Sequence, residues 1–316
     1  AITNWINAAI IHHFFSFGSI SESLAGRAVF LDLEGFCLNE LGPKLASKTW
    51  LGRWLSDPNQ LIQSPPSRIS LSQNVFELLW RGFFPEATTL PIELISEFYS
   101  SYQRTYIERD VRLIKNITNL AAFERFIRLC AGRIGQLLNM HSLSLEVGVD
   151  AKTINAWIGI LESTFVAFRL QPFHQNYNKR ITKMPKLYFY DTGLASALLG
   201  IESSGQLEHN VYKGALFENL IIVDLIKRRF NAAKTNNLFY WRDSAGNELD
   251  VIMDLPSGRI PIEIKSGQTV TTAYFKGLNY WQKITDTIGG YVVYAGHPIE
   301  KRGEHRTVLP YTELAQ

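Results

Sequence analysis

Two short runs in which polar and apolar residues alternate, NELDVIMD and RIPIEIK, flank the turn-forming cluster LPSG and constrain this chain more than any other stretch. They lie within Phe239 to Gly267 and predict a β-hairpin. With Leu255 to Gly258 as its loop, Asp254 faces Arg259, Asp250 faces Glu263 and Glu248 faces Lys265. Strand side chains alternate between faces, which gathers Leu249, Val251, Met253, Ile260, Ile262 and Ile264 on an apolar face and Glu248, Asp250, Glu263 and Lys265 on the other. Directly opposed residues have Cβ atoms about 5 Å apart, so two carboxylates held there raise each other's pKa unless a cation lies between them. Such a pair suits magnesium, which is held by one or two carboxylates together with water and substrate phosphate. The same residues also allow a solvated surface ribbon in which Glu248 pairs with Lys265.

Asp250, followed across the hairpin by Glu263-Ile264-Lys265, resembles the PD-(D/E)XK nuclease signature, and Glu218 in GALFENLIIVDLIKRRF matches the acidic residue of its preceding helix. More widely, GALFEN, YWRD, ELDVIM, IPIEIKSG and GYVVYAG together resemble a C-terminal domain fused to a family of prokaryotic AAA-type ATPases. SISESLAGR, GFFPE and SYQRTYIERDVR resemble that family upstream. The resemblance implies magnesium-dependent hydrolysis of DNA phosphodiesters. Asp250 and Glu263 would hold the metal with the Ile264 carbonyl, Lys265 would orient or help deprotonate the water, and Glu218 would assist a second metal or that water. It also implies a homo-oligomer. The competing reading is a non-catalytic DNA- or protein-binding module that regulates an ATPase-family protein.

The chain departs from that family in one respect. A phosphate-cradling loop needs the pattern GxxxxGK[ST], and no Gly-Lys dipeptide occurs. The chain therefore reads as a truncated relative: ATP belongs to intact relatives, and ATPase activity is not expected from these residues alone. By the resemblance Ser19 sits near a nucleotide-sensing position and Arg27 reaches a phosphate, in a neighbouring subunit for example. The same two residues also read as a helix cap and a surface ion pair.

The expected fold is a mixed α/β, multidomain chain. Residues 1–42 read as a remnant of an ATPase core, 43–139 as a helical lid or linker, 140–186 as a winged helix-turn-helix and 187–316 as a nuclease-like mixed sheet flanked by helices. Within the third segment, Ile154, Trp157, Ile158 and Leu161 form the buried stripe of a second helix, leaving Lys152, Thr153 and Asn155 at its exposed N-terminal end. That is the end with which DNA readers enter the major groove. Arg180, with Lys179, Lys183 and Lys186, has the composition of a basic wing able to meet phosphates. Winged helices also serve as plain packing modules. Upstream, residues 91–139 read as continuous helix with Thr118 or Asn119 as an internal cap, and Asp191 reads as the cap of a later helix. Lys227, Arg228 and Arg229 complement the dipole of the helix bearing Glu218, or face a nucleic-acid backbone.

Composition narrows the partners. The 316 residues are 46 % hydrophobic and 19 % charged with a net charge of +3, so DNA binding must come from local patches rather than a global field. Cys37 and Cys130 lack metal-ligand spacing, as do the seven histidines, which argues against zinc and for reduced thiols in the cytoplasm. No apolar run reaches the roughly 18 to 20 residues of a membrane-spanning helix.

Overall fold

The chain divides into a unit of residues 1–33 and a unit of residues 34–316. The computed structural model describes residues 34–41, 74–111, 117, 119–174, 184–285, 287, 289–301 and 306–315, all in the second unit. Ser19, Arg27, Lys179, Arg180 and Lys183 lie outside the described residues.

The first described helices are α1 (Val75–Arg81), α2 (Pro85–Thr89) and α3 (Ile95–Thr105). Asn74 caps α1 by accepting the Glu77 N–H, and Gly82, at a φ of 74° that favours glycine, ends it by donating its N–H to Leu78. The expected continuous helix over 91–139 is interrupted. After α3 the backbone loosens into a π-helical turn, Tyr106–Val111, and Asn119 then starts α4 (Leu120–Ala131) by accepting the Ala122 N–H. Past Ala131 the chain is drawn out of helix altogether, because Ile134 and Leu137 bridge to Leu187 and Lys186 further along.

Helices α5 (Met140–Val147) and α6 (Ala151–Ser163) follow as the sequence predicts. Gly148, at φ 83°, closes α5 by donating its N–H to Ser144, and Asp150 opens α6 by accepting the Thr153 N–H. Ile154, Trp157, Ile158 and Leu161 are buried, with Trp157 packed edge-on against Phe123 of α4. Strands β1 (Ala167–Leu170) and β2 (Lys186–Phe189) form an antiparallel pair running from Ala167↔Phe189 to Leu170↔Lys186.

Asp191 is more than the cap of α7 (Thr192–Leu198). Its buried carboxylate accepts the Leu194 N–H, the Phe83 N–H and the Tyr99 hydroxyl, tying α1 and α3 to the start of α7. After the short α8 (Ser204–Glu208) comes α9 (Lys213–Asn231), whose residues are buried on nearly every side. A helix buried all round belongs between layers. Its polar residues serve the neighbours: Asn219 accepts the Phe189 N–H at 2.7 Å and donates to the Phe189 carbonyl at 2.8 Å, and Asp224 accepts the Leu38 N–H. The basic end of α9 is likewise engaged. Lys227 donates to the Phe36 carbonyl, and Arg228 pairs with Asp224 and reaches the Leu314 carbonyl. Those two cations are buried or bound within the protein, which removes the alternative that they face a nucleic-acid backbone and leaves the helix-dipole reading.

The remaining elements build one mixed sheet: β3 (Leu238–Arg242), β4 (Glu248–Leu255), β5 (Gly258–Lys265), α10 (Lys276–Ile284), β6 (Gly290–Tyr294), β7 (Glu300–Lys301) and β8 (Arg306–Pro310). The order across the sheet is β3-β4-β5-β6-β8-β7. β3, β4 and β5 are antiparallel neighbours, whereas β5-β6 and β6-β8 are parallel. Val251, Met253, Ile262, Ile264, Val293 and Leu309 pack into the core that includes α9. Ile252, Val292, Tyr294 and Val308 point the other way, against Leu278 and Trp281 of α10. The continuation of β1 also lies along β3, since Phe173 donates to the Tyr240 carbonyl at 2.6 Å and Tyr240 donates to that of Gln171.

Asn219 is the test of how α9 holds β2. Replacing it with Leu keeps the volume but leaves both the buried N–H and the carbonyl of Phe189 without that partner, which costs about 2–4 kcal/mol for two orphaned groups. Urea unfolding of Asn219→Leu should show that loss, and a change below about 0.5 kcal/mol would mean that Phe189 is held by other bonds.

Candidate functional site

The site starts from an irregularity in β4. Phe239 pairs with Ile252 and Trp241 with Leu249, two steps on β3 against three on β4, so β4 bulges at Asp250 and Val251. The extra residue resets the alternation. Leu249 consequently joins Ile252 in the α10-facing core and not Val251 and Met253, a correction to the single apolar face expected from strict alternation. The hairpin register itself holds from Asp254↔Arg259 to Val251↔Ile262, but the turn is tighter than expected. Leu255 pairs with Gly258, and Gly258 adopts φ 134°, which favours glycine.

Beyond Val251↔Ile262 the ladder gives way to a side chain. The Asp250 carboxylate accepts the Ile264 N–H at 2.7 Å, occupying the place a backbone carbonyl of β4 would take. Lys265 Nζ lies 3.0 Å from Asp250 Oδ2 and 2.6 Å from Glu263 Oε2, so both acids converge on one ammonium group. Glu263 is also pressed against α10 at Gly277, where an added Cβ would sit 1.8 Å from Oε1 and 2.5 Å from the Glu248 carbonyl. Only glycine leaves room there.

The electrostatics separate the two acids. Burial and the adjacent charge of Asp250 push Glu263 well above the usual carboxylate range, against the pull of Lys265. Burial works against Asp250 as well, but Lys265, Lys186 and the Ile264 N–H outweigh it and hold Asp250 below its ordinary value. The pair therefore consists of an ionised Asp250 and a Glu263 that hydrogen-bonds to it. Lys265 stays charged because the two acids offset its burial.

Glu218 arrives from α9 through a different cation. Lys186, placed by its sequence neighbours on an exposed wing, is buried at 3 % exposure and pairs with Glu218 at 3.4 Å and with Glu248. The Tyr188 hydroxyl donates to the same Glu218 oxygen, and Arg242 takes the other Glu248 oxygen at 3.2 Å. Burial raises the Glu218 pKa, Lys186 opposes that, and the charge of Asp250 adds to it. Glu248 thus pairs with Lys186 and Arg242, not with Lys265. Spacing in the sequence carried no sign of this, because Lys186 comes from another sheet; only the shared facing of Lys186 and Tyr188 on β2 hints at a polar patch.

The acids open onto a cleft of about 250 Å³ lined in part by Glu248, Asp250, Glu263, Lys265, Lys276 and Tyr280. Glu218 does not line it. Among the described residues no group of three or more His, Cys, Asp or Glu side chains gathers as a metal cluster. The donor set is the pair Asp250 and Glu263, hard oxygen ligands already drawn to one cation, which suits an ion needing one or two carboxylates.

The residues assigned to nucleic-acid contact, Arg180 apart, lie on α6. Lys152 and Asn155 are exposed at the start of α6, whereas the Thr153 hydroxyl is engaged with Asp150 Oδ2 at 2.8 Å. No helix among the described residues is long and apolar enough to cross a membrane.

Two domain families match the chain. Residues 72–205 match a domain of unknown function, DUF8612, and residues 213–314 match a second, DUF4143. The second match takes in α9, the six-stranded sheet and the acidic pair; the first takes in α1 to α7 and the β1-β2 pair. Uncharacterized proteins from Mycobacterium bovis and Mycobacterium tuberculosis are each 29 % identical over 252 residues, 80 % of this chain and 50 % of the relative. The chain spans about half the length of these curated relatives. No solved structure is significantly similar to it.

Proposed function

We propose that residues 213–314 form a magnesium-dependent nuclease unit of the PD-(D/E)XK kind, acting on DNA phosphodiesters within a protein of the AAA-type ATPase family. The observation that carries this reading is the convergence of Asp250 and Glu263 on Lys265 Nζ at 3.0 and 2.6 Å, beside an open cleft. The succession α9, β3, β4, β5, α10, β6 supports it, as does the tuning of two neighbouring carboxyls in opposite directions. Asp250 and Glu263 would hold magnesium, which when bound activates water and neutralises phosphate charge. Asp250 is oriented for this by the Ile264 N–H, and Gly277 leaves the space in which Glu263 stands. Lys265 is placed to donate to a water or phosphate oxygen, and Glu218 supports the pair from behind through Lys186. The link to ATP rests on the sequence resemblance alone.

A second reading follows from the same ammonium. Lys265 already satisfies both acids, so the cleft also fits a binding or regulatory module without catalysis. In either case residues 140–186, with α5, α6 and the β1-β2 pair, are read as a winged helix-turn-helix, with Lys152, Thr153, Asn155 and Arg180 meeting DNA. If so, Lys152→Ala should weaken binding to unrelated duplexes alike and reduce the slope of log K against log salt by about one unit. An unchanged slope assigns the helices to packing.

Asp250→Asn should abolish both Mn²⁺ binding and cleavage of single- and double-stranded DNA, measured by calorimetry and on gels. Wild-type protein that binds no Mn²⁺ and cuts neither substrate leaves the binding-module reading. The state of Glu263 adds a pH signature. Its raised pKa means that a proton competes with the ion, so Mn²⁺ affinity should rise with pH until Glu263 is fully ionised and then level off. Affinity that falls as pH rises would place the ion elsewhere.

A further inference from the structure

Two lysines serve the acidic cluster, and they are held differently. Lys265 is 29 % exposed at the mouth of the cleft, where its side chain can give way to another cation. Lys186 has no such freedom. It is 3 % exposed, its backbone is fixed opposite Leu170 and bridged to Leu137, and its ammonium lies 5.5 Å over the Tyr240 ring. Around it three carboxylate oxygens are taken. Glu218 Oε1 receives both Lys186 and the Tyr188 hydroxyl, while the two Glu248 oxygens are divided between Lys186 and Arg242.

Two-metal phosphodiesterases place their ions roughly 3.5–4 Å apart within a continuous set of acids. Here the corresponding acids fall into two sets, each gathered on its own lysine: Asp250 and Glu263 around Lys265, Glu218 and Glu248 around Lys186, with Arg242 also on Glu248. We infer that Lys186 is a built-in second cation, which occupies the position between Glu218 and Glu248 permanently and restricts the cluster to one divalent ion, held by Asp250 and Glu263. The inference rests on the nuclease reading and replaces the expectation that Glu218 assists a second metal. Burial of an ammonium is costly unless it is paired and hydrogen-bonded, and Lys186 meets that condition through two carboxylates. Its pKa is raised despite the burial, with Glu218 and Glu248 the main opposing charges, so burial does not strip it of its proton.

The stoichiometry of Mn²⁺ on the full 316-residue chain, read by calorimetry and by electron paramagnetic resonance, is the test. Wild type should take one ion per chain. Lys186→Met, which removes the ammonium between Glu218 and Glu248, should take two, the second weaker, while Lys186→Arg should still take one. Two ions on wild type overturn the inference and leave the nuclease reading standing; none on wild type removes both. A folded Lys186→Met that holds a single ion with unchanged affinity overturns it as well. If the loss of a buried cation prevents Lys186→Met from folding, Lys186→Met/Glu248→Gln, which removes one acid along with the cation, replaces it. That variant should take a weak second ion at Glu218, and one ion only would count against Lys186 as the excluding group.

Discussion

A side chain taking over from a strand is the constraint on which this site depends. β4 and β5 pair in register up to Val251 and Ile262, and from there the Asp250 carboxylate answers the Ile264 N–H. A buried N–H requires a partner, and Asp250 provides one while also accepting the charge of Lys265. Structure and electrostatics are thereby joined in one residue. If Asp250 moved, the end of β5 would lose a hydrogen bond, Lys265 would lose a counter-ion and Glu263 would lose the neighbour that sets its proton. The bulge beside it makes the arrangement possible, since it turns Leu249 toward α10 while Asp250 stays with the acids.

Much of this was legible in the residues. The LPSG cluster set the hairpin register, and with it the approach of Asp250 to Glu263, because turn chemistry and alternation are local. The caps at Asn119 and Asp191 were legible for the same reason, and so was the buried stripe of α6. What could not be read was set by neighbours distant in sequence. The bulge is a mismatch between β3 and β4, and neither strand alone contains it. Lys186 sits in a run of basic residues that looks like a wing, yet β2 turns it toward Glu218. Lys227 and Arg228 look like a helix's cationic end and are consumed by Phe36, Asp224 and Leu314. Composition describes which charges are present; only packing decides which are spent inside.

α9 organises the two halves of the described fold. One helix supplies Asn219 to the backbone of β2, Glu218 to Lys186 and Tyr188, and Asp224 to the turn at Leu38–Glu40, while its apolar side covers the sheet. Polar residues inside such a helix are tolerated because each has found a specific partner. They also fix its rotation, since a turn of the helix about its axis would strand several of them at once.

The backbone bonds between Phe173, Gln171 and Tyr240 have a mechanical consequence. They stitch the strand leaving the β1-β2 pair to β3. β3 in turn is the strand whose mismatch creates the bulge in β4, and Tyr240 stands between the two pairings that define it, Phe239↔Ile252 and Trp241↔Leu249. One strand thus serves both as the anchor of the β1-β2 pair and as the partner whose mismatch sets the bulge next to Asp250.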